Sequence, residues 1–183
     1  MFAAQIVAQR LIRLVETDEP TLTGEGQVKI KMERGCLCGS DSPLFDYDLN
    51  EVLDEAHRNP EKRRSIPFID YDTDPYPLSV GQSIHECLGT VVESTSPRFR
   101  EGDFVLALPS EHDGLVEYMV AAADRTIHLP KEKVPKEEIL MTQPLGTVVW
   151  ACHKLGNLLD LDIVVAGQGP MGLLFTHMIA NLG

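Results

Sequence analysis

Three closely spaced glycines constrain the fold of this 183-residue chain more than any other feature. Gly167-Gln168-Gly169-Pro170-Met171-Gly172 follows the apolar run LDIVVA and precedes a second apolar stretch, Leu173 to Leu182. A strand turning sharply into a helix uses this spacing. The first glycine permits the tight turn, the second lets backbone approach a pyrophosphate, and the third lets helix and strand pack closely. Pro170 suits the first helical turn, whose free N–H groups and dipole favour an anion. Gly167, Gly169, Pro170, Met171 and Gly172 are thus candidate dinucleotide-binding residues, with a purely structural turn as the plainer reading. The acidic residue that would separate NAD from NADP, about 20 positions on, falls past Gly183, so both cofactors stay open.

A continuous apolar run such as LDIVVA is the pattern of a buried parallel strand, which needs neighbours on both edges and a helix over its face. One strand and one helix cannot supply these, and the expectation is that the chain is part of a longer protein. Upstream the texture differs. QIVAQRLIRLVE and QVKIKMER alternate apolar and polar residues around the turn signal Thr23-Gly24-Glu25-Gly26, and read as short strands. GTVVES, GDFVLAL, GLVEYMVAAAD and RTIHLP read likewise, with Pro97 to Asp103 as a turn. LNEVLDEAHRNPEKRR predicts a helix interrupted near Pro60, and the acidic, proline-containing stretch from Asp70 to Pro77 a loop. From Lys136, helical spacing takes over and Pro144 sits at a first-turn position. The expected division is 1–135 and 136–183. The fold class is mixed: a mainly β, barrel-type domain, then connecting helices and the first β-α unit of a doubly wound α/β domain.

Charge and cysteines narrow the partners. Asp and Glu outnumber Lys and Arg 28 to 16, a formal net charge of −12, which argues against a nucleic-acid or anionic-membrane binder. The one basic cluster, Lys62-Arg63-Arg64, reads as a solvated helix end. The N-terminus lacks the pattern of a signal peptide, and no window approaches a membrane span. Four cysteines in a chain of this length do not make a secreted disulfide framework, so a reducing, cytoplasmic setting is the default.

Several separated segments, taken in order, resemble the medium-chain zinc-dependent alcohol and polyol dehydrogenases. Cys38-Gly39-Ser40-Asp41 resembles their Cys-Gly-Ser/Thr-Asp segment. His85-Glu86-Cys87-Leu88-Gly89-Thr90-Val91 resembles Gly-His-Glu-x-x-Gly-x-Val, with Ile84 in place of the leading glycine. Gly102-Asp103-Phe104-Val105, Gly114-Leu115-Val116-Glu117-Tyr118 and Gln143-Pro144-Leu145 match further family segments. The resemblance implies a GroES-like catalytic domain followed by the start of a Rossmann domain. It also implies one catalytic zinc on Cys38, His85, Glu86 and Gln143, with Ser40 passing a proton outward and Glu86 bound or exchanging with water. Such an enzyme would oxidise a small alcohol, polyol or sugar with hydride transfer to NAD or NADP, and would form a homo-oligomer.

The sequence also departs from that pattern. Gln143 stands where the polyol branch has a ligating glutamate. The stretch from Val105 to Glu117 has no cysteine, so the structural zinc lobe is absent. The Cys38–His85 spacing is long, the excess at about 45–71 being expected to form an added helix beside the substrate cleft. Pro43 replaces a histidine often found after the cysteine segment. Each candidate keeps an ordinary alternative: Cys38 as a small buried hydrophobe, His85 and Glu86 as loop residues, Ser40 as a turn hydroxyl. Cys36 and Cys87 match no ligand position and Cys152 is expected to be packed. The histidines at 57, 112, 128, 153 and 177 read as surface residues. Two other functions remain beside the leading one: a zinc-free reductase resembling the quinone reductases, and a catalytically silent protein of the same fold.

Overall fold

Alternating apolar residues at the start of the chain become three strands. The computed structural model describes residues 1–64, 66, 69–130, 134–158 and 160–182. In it β1 (Phe2–Ala8) and β2 (Leu11–Glu16) form an antiparallel hairpin, and β3 (Gln27–Cys36) follows a turn in which Gly26 takes φ +69°. The 10-residue β3 is the hub of a second sheet. It pairs with β4 (Glu86–Ser94) on one side and β6 (Tyr118–Ala122) on the other. The sheet continues through β5 (Phe104–Ala107) to β7 (Thr126–His128), giving the antiparallel order β6-β3-β4-β5-β7.

Register shifts at Lys29/Ile30 and Met32/Arg34 mark irregularities in the β3–β4 ladder, of the kind that bend and curl a sheet. The hairpin is tied to this sheet by the Ala4 N–H donating to the Leu115 carbonyl (2.8 Å) and the Glu117 N–H to that of Phe2 (3.2 Å). Val28 and Ile30, two apart on β3, face Val91, Val105, Met119 and Ala121 in the buried core. That is the period-two pattern turned into packing.

The long segment between β3 and β4 builds a core of its own. A short helix, α1 (Ser42–Asp46), was not anticipated; Pro43 lies in its first turn. The helix α2 (Leu49–Arg58) starts where the Asp48 carboxylate accepts the Asn50 N–H (3.0 Å), and a 3-10 turn follows at Pro60–Arg64, as the proline requires. Leu44 and Leu49 bury themselves with Ile66 and Leu78 against Ile6 of β1. Lys62 pairs with Glu55 and Arg63 with Asp72, in keeping with a solvated helix end. Ser65, Pro67 and Phe68 of this inserted stretch lie outside the described residues.

The chain divides into two units, Met1–Lys133 and Val134–Gly183. The second contains α3 (Lys136–Leu140), α4 (Thr142–Leu155) and α5 (Pro170–Leu182), with Pro144 in the first turn of α4. One expectation is corrected here. The run at 161–166 forms no strand ladder, and its residues are largely exposed. A strand exists through its pairing, and among the described residues no neighbour supplies the hydrogen bonds a buried parallel strand requires. Among the described residues no helix is long and apolar enough to cross a membrane.

Gly89 shows how tightly the sheet is built. A Cβ there would lie 2.2 Å from the Lys31 carbonyl oxygen and 2.8 Å from Ile30 Cγ2. Gly89→Ala is expected to lower stability by about 2–3 kcal/mol, read from the midpoint of urea unfolding.

Candidate metal centre

Two loops meet through one carboxylate. Cys38 lies just past the end of β3, and His85 just before β4, whose first residue is Glu86. Asp41 is 4% exposed. Its Oδ2 accepts the Cys38 N–H (2.7 Å), and its Oδ1 accepts both the Ser83 hydroxyl (2.9 Å) and the Ile84 N–H (2.9 Å). The loop carrying the cysteine is thereby fastened to the loop carrying the histidine.

The consequence is a convergence of three donors. Ligand atoms of Cys38, His85 and Glu86 all lie within 4.8 Å of one another. Glu86 is buried at 5% exposure, and the His85 side chain is 14% exposed. His85 Nδ1 is buried with no hydrogen-bond partner, 3.9 Å from Asp41 Oδ1. A thiol, an imidazole and a carboxylate in so small a volume suit a borderline-soft cation with bonds of about 2.0–2.3 Å. Two carboxylates offset its charge. The residues present therefore fit a zinc ion.

The backbone before His85 is strained. Ser83 takes φ +121° and Ile84 φ +62°, the latter an outlier for a β-branched residue. Two glycines clear the space: a Cβ on Gly35 would sit 2.9 Å from Ile84 Cγ2, and one on Gly114 2.4 Å from the Ile84 carbonyl oxygen. Ile84 thus stands where the resemblance has a glycine, and neighbouring glycines accommodate it.

The other expected residues are placed as follows. Ser40 is half-buried in the turn between Cys38 and Asp41. Gln143 lies in the first turn of α4, in the second unit. Cys36 pairs across from Glu86 in the β3–β4 register, and burial, then the Glu86 charge, raises its thiol pKa. Cys87 is buried, which pushes its thiol up to about 12. Cys152 is buried.

His112 is a correction. It is not a free surface residue: its ring meets that of His85 edge-on, centroids 5.3 Å apart, and burial lowers its pKa. Its neighbour Asp113 is pushed up by burial. The sequence signal that points there is Gly114, a close-approach glycine that seats the two preceding residues against the Ser83-Ile84 loop.

In the second unit, the glycine turn has the geometry its spacing implies. Gly167 takes φ +97°, and a Cβ on Gly172 would lie 2.1 Å from the Gly167 carbonyl oxygen, whereas one on Gly169 would meet nothing within 4 Å. Helical bonding begins with the Leu173 N–H donating to the Gly169 carbonyl (2.9 Å).

No family model matches the chain. It is 25% identical to L-threonine 3-dehydrogenase of Ruegeria pomeroyi, over 93% of this chain and 51% of that protein. It is 28% identical to sorbitol dehydrogenase of Halalkalibacterium halodurans, over 92% of this chain and 49% of that protein. Among solved structures, galactitol-1-phosphate dehydrogenase from Escherichia coli superposes on the whole chain with TM-score 0.73, at 19% identity and over 53% of its own length. The chain is similar to medium-chain alcohol and polyol dehydrogenases. It has their GroES-like catalytic fold, and it spans about half the length of the curated relatives it matches.

The Asp41 contacts are testable on their own. Asp41→Asn leaves one acceptor oxygen where three donors converge and turns an NH2 group toward the rest. A loss of roughly 2–3 kcal/mol in stability is expected, measured by chemical unfolding, with weaker metal binding alongside it.

Proposed function

We propose that this chain is the catalytic part of a zinc-dependent oxidoreductase that oxidises an alcohol, polyol or sugar with hydride transfer to NAD or NADP. The convergence of Cys38, His85 and Glu86 carries this reading. A quinone-reductase-like protein has no use for a thiol, an imidazole and a carboxylate brought to one point. The relatives named above are an L-threonine and a sorbitol dehydrogenase, and another neighbour of the same fold was solved as a complex with NADH.

Cys38, His85 and Glu86 would hold the zinc, which supplies Lewis acidity toward the substrate oxygen when bound. Asp41 keeps the cysteine and histidine loops together, so that donors from two segments stay in register. Glu86, buried at the head of β4, contributes a carboxylate that would bind the ion directly or exchange with a water as its ligand. Ser40 is assigned the hydroxyl that accepts the substrate proton and passes it outward. In the second unit, the open space above Gly169 admits a pyrophosphate, and the N-terminal N–H groups of α5 face its charge. Pro170 and Met171 shape that turn. Binding energy at the nucleotide orients the hydride acceptor, while the substrate oxygen is fixed independently.

Metal binding decides the matter. Zinc titrated against a chromophoric chelator should give one ion per chain, and Cys38→Ser should reduce this to none. Alkylation supplies the second measurement: zinc should protect Cys38 from iodoacetamide, whereas Cys87 and Cys152, both buried, should stay unmodified with or without it. A wild-type chain that takes up no zinc would favour the zinc-free reductase. Zinc uptake in a protein with no nucleotide-dependent oxidation across polyols and sugars would favour a silent one.

A further inference from the structure

His112 has a place that neither the expected ligand set nor the nucleotide turn uses. It stands in the short connection between β5 and β6, where the structural zinc lobe is missing, and that connection folds back on the His85 loop. The Ser83 N–H donates to the His112 carbonyl (2.8 Å), and the Gly114 N–H to the carbonyls of Ser83 (3.0 Å) and Ile84 (3.2 Å). Ser83 and Asp113 form an isolated parallel bridge. His112 itself takes φ +54°, a left-handed conformation that few non-glycine residues adopt. A residue in this conformation, fastened at its carbonyl and through the two residues after it, marks a position where side-chain direction matters.

What that direction achieves is contact with His85. The two rings meet at an interplanar angle of 72°, an edge-to-face arrangement. A metal-ligating histidine is ordinarily oriented by a hydrogen bond from its second nitrogen. Here His85 Nδ1 has no hydrogen-bond partner, and Asp41 Oδ1, 3.9 Å away, already accepts two donors. The His112 ring, packed edge-on against the imidazole, restrains its plane.

We infer that His112 is a positioning residue, its ring fixing the His85 imidazole in the plane from which it binds the metal. This rests on the metal reading above. Aromatic area, rather than a second imidazole nitrogen, performs the task, so phenylalanine should replace it and alanine should not.

The test uses cobalt(II) as a spectroscopic substitute for zinc in the 183-residue chain, comparing wild type, His112→Ala and His112→Phe. His112→Ala is expected to bind the ion about 10-fold more weakly and to shift the visible ligand-field bands, while its thermal unfolding stays cooperative. His112→Phe should keep affinity within about 2-fold and retain the wild-type bands. Wild-type affinity and spectrum in His112→Ala would overturn the inference and leave the metal reading intact. Equal losses in both variants would overturn it too, by assigning the role to the imidazole nitrogens. A wild-type chain that binds no cobalt would overturn the metal reading itself, and this one with it.

Discussion

The Asp41 carboxylate collects three donors from two loops far apart in sequence, and the candidate centre depends on it. Cys38 extends from the end of a strand that could place its thiol in many directions, and His85 follows two residues of positive φ. Neither loop has regular structure to define it. A buried carboxylate accepting charge-assisted hydrogen bonds is among the stronger local ties a protein can make. Its position 3.9 Å from His85 Nδ1 also sets a negative charge beside the imidazole. One residue thus orders the backbone and prepares the field that a cation would meet.

Strain and space are matched around that tie. Ile84 keeps an unfavourable backbone conformation because the chain on either side is pinned, by Asp41 at its N–H and by Gly114 at its carbonyl. Gly35 and Gly114 lack the Cβ atoms that would collide with it. The same logic recurs at Gly89, where β3 and β4 approach too closely for any side chain. These glycines have separate local causes, yet together they bring β3, β4 and the β5–β6 connection close enough for side chains from each to touch.

Much of this could be read before the fold was known, and the failures have definite causes. The strands β1, β2 and β3 follow from alternation, β4 and β6 from short apolar segments, and α2 from its spacing and Pro60, because these signals are local. Cys38, His85 and Glu86 were named from ordered segments, and their convergence is what the loops deliver. His112 reads as a surface residue because the one signal in its segment, the close-approach glycine Gly114, marks a tight contact without naming the loop that it meets. The helix α1 was missed because five residues carry too little periodicity. The run at 161–166 has the composition of a buried strand, but composition cannot create the neighbours on which a strand depends.

The two candidate sites differ in how they are supported. In the first unit, the donors are held by buried groups, and disturbing Asp41 or Gly114 should move them together. The glycine turn of the second unit is set by its own chain: Gly167 makes the bend, and Gly172 admits the Gly167 carbonyl. It is preformed by sequence-local contacts, so it can exist where 161–166 has no ladder. The helix behind it is another matter. Among the described residues α5 has no buried side chain, and 13 residues are marginal for an isolated helix. A turn correct in shape presents its N–H groups to an anion only as firmly as the helix behind it is held. How firmly those N–H groups are held therefore depends less on the three glycines than on what covers the apolar face of α5.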